Sequence, residues 1–191
     1  MRYNKGHKEQ TRRHILDVAS AQFRKNGIAA VGLAGIMSEA GLTNGAFYGH
    51  FTSKEELVRD VLADALVRRE ERHKASLNNG VALEAMIRDY LSPRHRDRAS
   101  SGCPTASLVA EIARHSAATR DAFTGKIANI VELMARQISQ GSAERRRRRA
   151  IAIYSTMVGA LQLARAVADQ RMSDEILDAA VEAAMATANR K

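Results

Sequence analysis

Between Thr43 and His50 the chain carries side chains suited to reading nucleic acid. The amide of Asn44 can donate to and accept from an adenine edge at once, and the methyl of Ala46 can touch a thymine methyl. Gly45 lets the backbone come close to a groove. Lys54 adds a charge at the start of the following helix, beside free backbone amides that favour a phosphate. This is recognition chemistry. No catalytic set competes with it: His7, His14, His50, His73, His95 and His115 show no metal-type pairing, and there is neither a phosphate loop nor a nucleophile elbow. No enzyme activity, metal or cofactor is expected.

The elements that must hold these residues are short and local. Two apolar-periodic segments, about 33–40 and 44–50, meet at Gly41, whose missing side chain permits the left-handed backbone of a tight inter-helix turn. Ile36, Ala40, Leu42, Phe47 and Phe51 can then share one small core while Thr43, Asn44, Ala46 and His50 face outward, the layout of a helix-turn-helix. A preceding helix is predicted over 9–25, with Ile15, Leu16, Ala19 and Phe23 on one face and Gly27 as its stop. Ser53 and Glu56 form a capping box that starts a long helix to about Leu77, closed by Asn78-Asn79-Gly80. Five more helices follow, about 81–91, 104–115, 119–139, 143–170 and 174–189, with Ser173 as cap of the last. The fold class is all-α with about nine helices. A three-helix DNA-binding domain over 1–52 precedes a helical regulatory and dimerisation domain over 53–191.

At these residues the chain resembles tetracycline-repressor (TetR/AcrR) type transcriptional regulators. The resemblance rests on the helix ending at Gly27, then Ile36, Ala40-Gly41, the block Gly45-x-x-Tyr48-x-x-Phe51-x-x-Lys54, and Ser53 to Leu57. Weaker similarity continues through Gly102-Cys103-Pro104, Glu111-x-x-Arg114, Ala164 to Val167 and Ser173 to Leu177. It implies that Thr43 and Tyr48 reach phosphates through their hydroxyls, with His50 close to the backbone as well. Three positions depart from the family pattern: Val31 replaces a usual Thr or Ser, Met37 a common small residue, and Asn44 a frequent lysine. An altered operator preference is the expected consequence. The family also implies a pocket for a small-molecule inducer, lined by Met86, Tyr90, Leu108, Ile112, Phe123, Ile127, Ile130 and Met134.

Charge and composition agree with a polyanionic partner. The 191 residues carry a formal net charge of +9, and Arg2, Lys5, Lys8, Arg12, Arg13, Arg24 and Lys25 outnumber Glu9 and Asp17 near the N-terminus, where phosphate contacts are expected. An apolar fraction of 45% can fill a core, and two prolines point to helix. One cysteine fits a reducing compartment, residues 1–14 are too polar for a signal peptide, and no tract can span a bilayer, so the cytoplasm is the expected location.

A single helix-turn-helix contacts few base pairs, so a homodimer on a double-stranded, palindromic operator is expected. Tyr154, Val158, Leu161, Ile176 and Val181 of the last two helices are the expected interface, alongside Ile151, Leu163 and the small residues Gly159, Ala160 and Ala164. Cys103 precedes Pro104 at a helix start, where a thiolate is favoured, and could sense an oxidant. The run Arg145 to Arg149 spreads around its helix and is expected to be solvated surface. The function read from this is a ligand-responsive transcriptional regulator, a repressor released by an inducer, with a ligand-independent DNA-binding architectural protein as the alternative.

Overall fold

A computed structural model describes residues 5–78 and 82–190, of which Lys5, Leu77 and Asn78 are described as backbone only. Arg2 and the Asn79-Gly80 turn lie outside the described residues. Ten α-helices and no strand are found there. The helices are α1 (Lys5–Asn26), α2 (Leu33–Glu39), α3 (Asn44–Phe47), α4 (Lys54–Asn78), α5 (Leu83–Tyr90), α6 (Pro93–Asp97), α7 (Pro104–Ile112), α8 (Ala117–Gln137), α9 (Ala143–Ala166) and α10 (Gln170–Ala188). A single 3-10 turn, Ala99–Ser101, links α6 to α7. The tenth helix is α6: Ser92 caps it through His95 N–H and Pro93 occupies its first turn, so the Ser92-Pro93 turn continues as helix.

The glycine stops act as expected. Gly27 and Gly41 have φ of 85° and 68°, and the Leu42 N–H reaches back to the Met37 carbonyl at 2.8 Å, closing α2. The capping box at α4 is shared differently. Ser53 Oγ accepts from Glu56 N–H at 3.1 Å, while the Glu56 carboxylate accepts from the amide and hydroxyl of Thr52 at 2.7 and 2.5 Å. At α10 the cap is Asp169, which accepts from Met172 N–H at 2.8 Å. Ser173 lies inside the helix, buried, its hydroxyl donating to the Ala164 carbonyl at 2.7 Å and accepting from Arg96.

Two apolar cores organise the chain. The first gathers Ile15, Phe23, Ile36, Met37, Phe47 and Phe51 with Leu57, Val58, Val61 and Leu62 of α4, and takes Leu108 and Ile112 from α7. The second packs α5, α8, α9 and α10 around Ile87, Tyr90, Met134, Ile153, Leu161 and Leu177. Because α4 and α7 contribute to the first core, α1 to α3 are not packed independently of the rest. The α9–α10 hairpin is antiparallel, tied at one end by Ser173 to Ala164 and at the other by Arg149 to the Arg190 carbonyl at 2.5 Å.

Candidate nucleic-acid interface

Helix α3 is a single turn, too short to stand alone, and is prolonged to Phe51 by backbone bonds from Gly49 to Ala46, His50 to Phe47 and Phe51 to Phe47. What fixes it is its buried side. Phe47 and Phe51 are each 1% exposed and stack at 5.5 Å between ring centres, against Ile36 and Met37. The opposite side is open. Thr43, Asn44 and Gly45 are exposed, and Tyr48 is 70% exposed, held edge-on against Phe47 at 5.2 Å. Thr43 occupies the N-cap without using its hydroxyl as a cap. A Cβ added at Gly45 would meet nothing within 4 Å, so the fold does not require glycine there. An aromatic ring and three small polar or bare positions thus stand together on a rigid platform.

Several neighbours sit differently. Ala46 is half-buried against the first core. His50 is half-buried; desolvation, then Lys8 and Arg12, push its pKa down, so it contributes no charge at neutral pH, and its Nδ1 has no hydrogen-bond partner. Lys54 Nζ donates to the Ile28 carbonyl at 2.7 Å, which directs its ammonium into the molecule instead of outward. Arg12 pairs with Asp60 at 2.5 Å and lies 4.7 Å over the Phe51 ring, and Arg13 pairs with Asp64 at 2.5 Å. Arg24 donates to the carbonyls of Ser20 and Gly102. These three arginines are engaged within the molecule, Arg13 from an exposed position, leaving Lys8 and Lys25 among the described residues as exposed cations of α1 without an ion pair. Val31 is buried, so no hydroxyl is offered ahead of α2, and Gly32 caps that helix without a side chain.

Two carboxylates tie this unit to the rest. Glu111 of α7 accepts from the amides of Ile28 and Ala29 at 3.0 and 2.7 Å, clasping the turn between α1 and α2. Glu55 of α4 accepts from Ser116 Oγ and Thr119 Oγ1, each at 2.7 Å, and faces His115 Nδ1 at 2.7 Å. Neither carboxylate is among the site residues expected from the sequence, although Glu111 stands in a family-like block. The Thr119 hydroxyl, then Ser116 and His115, outweigh partial burial and hold the Glu55 carboxyl at about 2. Its folded pKa is depressed from about 4.5, so its contribution to stability is present above pH 4.5 and lost as pH falls towards 2. A melting series should show Glu55→Gln less stable than the parent at pH 7, with the gap closing between pH 4.5 and 2. A constant gap would show that the carboxylate is not the titrating group.

Farther from α3, the residues expected at the dimer face turn inward. Tyr154, Leu161 and Val181 are buried and Val158 is 9% exposed, all within the second core, while Ile176 is half-buried. The hairpin's outer face instead presents Ile151, Ala152, Gly159 and Leu163 of α9, with Met172, Ala179 and Ala183 of α10, at helical spacing. Of the expected pocket residues, Tyr90, Leu108, Ile112, Ile130 and Met134 are core and Met86 is half-buried on α5. Phe123 and Ile127 line an open groove of 320 Å³ beside Val109, Tyr154 and Val158. Cys103 is fully buried at the start of α7, with Sγ 4.0 Å from the Tyr154 hydroxyl. Burial raises its pKa, but Arg69, the Tyr90 hydroxyl and the Ala106 and Thr105 amides bring it below the ordinary value. Its sulfur has no exposed surface in this conformation. The arginines 145–149 are exposed or half-buried, as expected.

Two family models match: "Bacterial regulatory proteins, tetR family" over residues 15–61 and "Tetracyclin repressor-like, C-terminal domain" over 81–180. The HTH-type transcriptional regulator AcrR of Shigella flexneri is 40% identical over 60 residues, 31% of this chain and 28% of that protein. The HTH-type transcriptional repressor KstR2 of Rhodococcus jostii is 32% identical over 84 residues, 42% of this chain and 41% of that protein. The aligned stretches thus span less than half of these curated relatives. Among solved structures, reduced Escherichia coli NemR superposes with a TM-score of 0.76 at 22% identity, covering 92% of this chain and 95% of that one. Among the described residues no helix is long and apolar enough to cross a membrane.

Proposed function

The chain belongs to the TetR family of bacterial regulatory proteins, a class of DNA-binding transcriptional regulators and not of enzymes, and from that premise we propose that it is a ligand-responsive repressor acting as a homodimer. The observation that carries this reading is the outward face of α3: Thr43, Asn44, Gly45 and Tyr48 exposed on a platform of buried phenylalanines. Thr43 and Tyr48 hold phosphates through their hydroxyls, Gly45 admits the groove, and Asn44 reads an adenine edge, with Ala46 beside it. His50 assists as a neutral donor. Lys54 acts by holding the Ile28 carbonyl and hence the α1–α2 turn.

Two copies join through the outer face of the α9–α10 hairpin, where Gly159, Ala179 and Ala183 allow close approach and Leu163 and Met172 supply apolar area. An effector held among α4 to α9 shifts the balance between two shapes by binding one better than the other. The shift reaches α3 through α4, which Glu55 ties to Ser116 and Thr119 at the start of α8, and through Glu111 of α7, which holds the turn ahead of α2. Selection of bound sequences from a random duplex pool by the purified chain tests this. It should return a two-fold symmetric motif with half-site centres about one helical turn apart, ~34–36 Å. Recovery of no motif, or of a single asymmetric one, would count against the dimeric operator reading.

A further inference from the structure

A concentration of unmatched positive charge lies away from α3, where helices meet around a cleft. A cleft of 140 Å³ opens between α4, α6 and the 3-10 turn, bordered by Arg69, Arg72, Arg94, His95, Arg98 and Ser101. The single acid on its rim, Asp89, pairs with Arg94. Among the described residues, Arg69, Arg72 and Arg98 have no ion-pair partner. Arg69 lies 5.0 Å over the buried Tyr90 ring, and its Nε is buried without a hydrogen bond. The Tyr90 hydroxyl, in a residue 1% exposed, is turned to the Cys103 thiol and not to the cleft's arginines.

The crowding is felt all around. Desolvation and then the charges of Arg69 and Arg68 lower the pKa of Arg72, and desolvation with Arg68 and Arg72 does the same to Arg24. His73 and His95 are pushed down to about 4, chiefly by desolvation and then by Arg69, so both are neutral. Asp89 is the one carboxylate on the cleft's rim and is taken by Arg94, against three unpaired guanidiniums. Gathering like charges without counter-ions costs stability, and proteins break such rules mainly where a ligand completes the set.

We propose that this cleft binds a compact oxyanion, a small molecule bearing phosphate or carboxylate, held by Arg69 and Arg72 of α4 and Arg98 beyond α6. Guanidinium forks match the paired oxygens of both groups, and the volume suits a small polar anion, not a long apolar chain. The site spans α4, which also contributes to the first core, and a turn whose Gly102 carbonyl accepts from Arg24 of α1 at 3.3 Å. Occupancy draws α4 towards α6 and so reaches the DNA-binding helices; this last step rests on the function proposed above.

Titration calorimetry on the full chain with inorganic phosphate and, separately, citrate decides the matter, with sodium chloride at equal ionic strength as the reference. Saturable binding of at least one anion is expected, and whichever binds tighter identifies the preferred oxyanion group. The double substitution Arg69→Gln with Arg72→Gln should weaken it about tenfold or more. Arg98→Gln, at an exposed position, should weaken it without touching α4. Arg145→Gln with Arg148→Gln, in the other arginine-lined cleft, should leave it unchanged. Heat no greater than that of the chloride reference, or equal affinity in the Arg69, Arg72 and Arg98 variants, would overturn the site. Duplex affinity measured with and without the anion is the second readout, and a change that disappears in Arg98→Gln supports the link to α4. Failure to bind duplex both with and without the anion would instead overturn the function proposed above while leaving the calorimetric result standing.

Discussion

Leu163→Glu is expected to give a folded 20.9 kDa monomer whose operator affinity has fallen by about 10²–10⁴-fold. Leu163 is 59% exposed on α9, so a carboxylate there meets water in the isolated chain and costs the fold little. In a two-fold dimer joined through this face both copies of the residue lie in the interface, so the substitution would bury two unpaired charges there. Losing the second helix-turn-helix removes the gain from two linked half-sites, which is why the expected loss spans orders of magnitude. Sedimentation and duplex titration of the one variant check both halves. A variant that remained dimeric would move the interface away from this face of α9.

Adjacent aromatics on α3 should respond in opposite ways. Phe47 is 1% exposed and anchors a helix of one turn, so Phe47→Ala should cost about 3–5 kcal/mol, a large part of the stability of an ordinary domain. The first core includes Leu57, Val58, Leu108 and Ile112, so the loss should extend beyond α3 as a lowered melting temperature of the whole molecule. Tyr48→Ala removes an exposed ring and should leave the melting temperature nearly unchanged while weakening duplex binding about tenfold. Calorimetric melting paired with duplex titration separates the two. A destabilised Tyr48→Ala would mean that the ring packs rather than binds.

The sequence was most readable where the determinants are local. Gly27 and Gly41 end helices because only glycine takes their positive φ without strain, and the spacing of Phe47 and Phe51 predicted which side of α3 is buried. Ser53 and Glu56 marked the start of α4, although Thr52 received the returning carboxylate. Partners distant in sequence were not readable. Nothing near Arg12 or Arg13 announces Asp60 or Asp64, and nothing near Lys54 announces the Ile28 carbonyl, so in sequence these cations look free for phosphates. Helical phase failed on α9 and α10 for another reason. Both are rich in alanine, which fits inside or outside equally, so the sequence does not tell a partner face from the chain's own core, which Tyr154, Leu161 and Val181 fill. Capping at α10 failed similarly: Asp169 and Ser173 are both good caps, and a buried place for the serine hydroxyl decided between them.

The most direct measurement is amide hydrogen exchange on the purified chain, with and without the duplex it selects. Slowed exchange concentrated over residues 42–50 on adding duplex is the result expected if the open face of α3 enters the groove. Unchanged exchange there, with protection appearing around the arginines 145–149 instead, would contradict it.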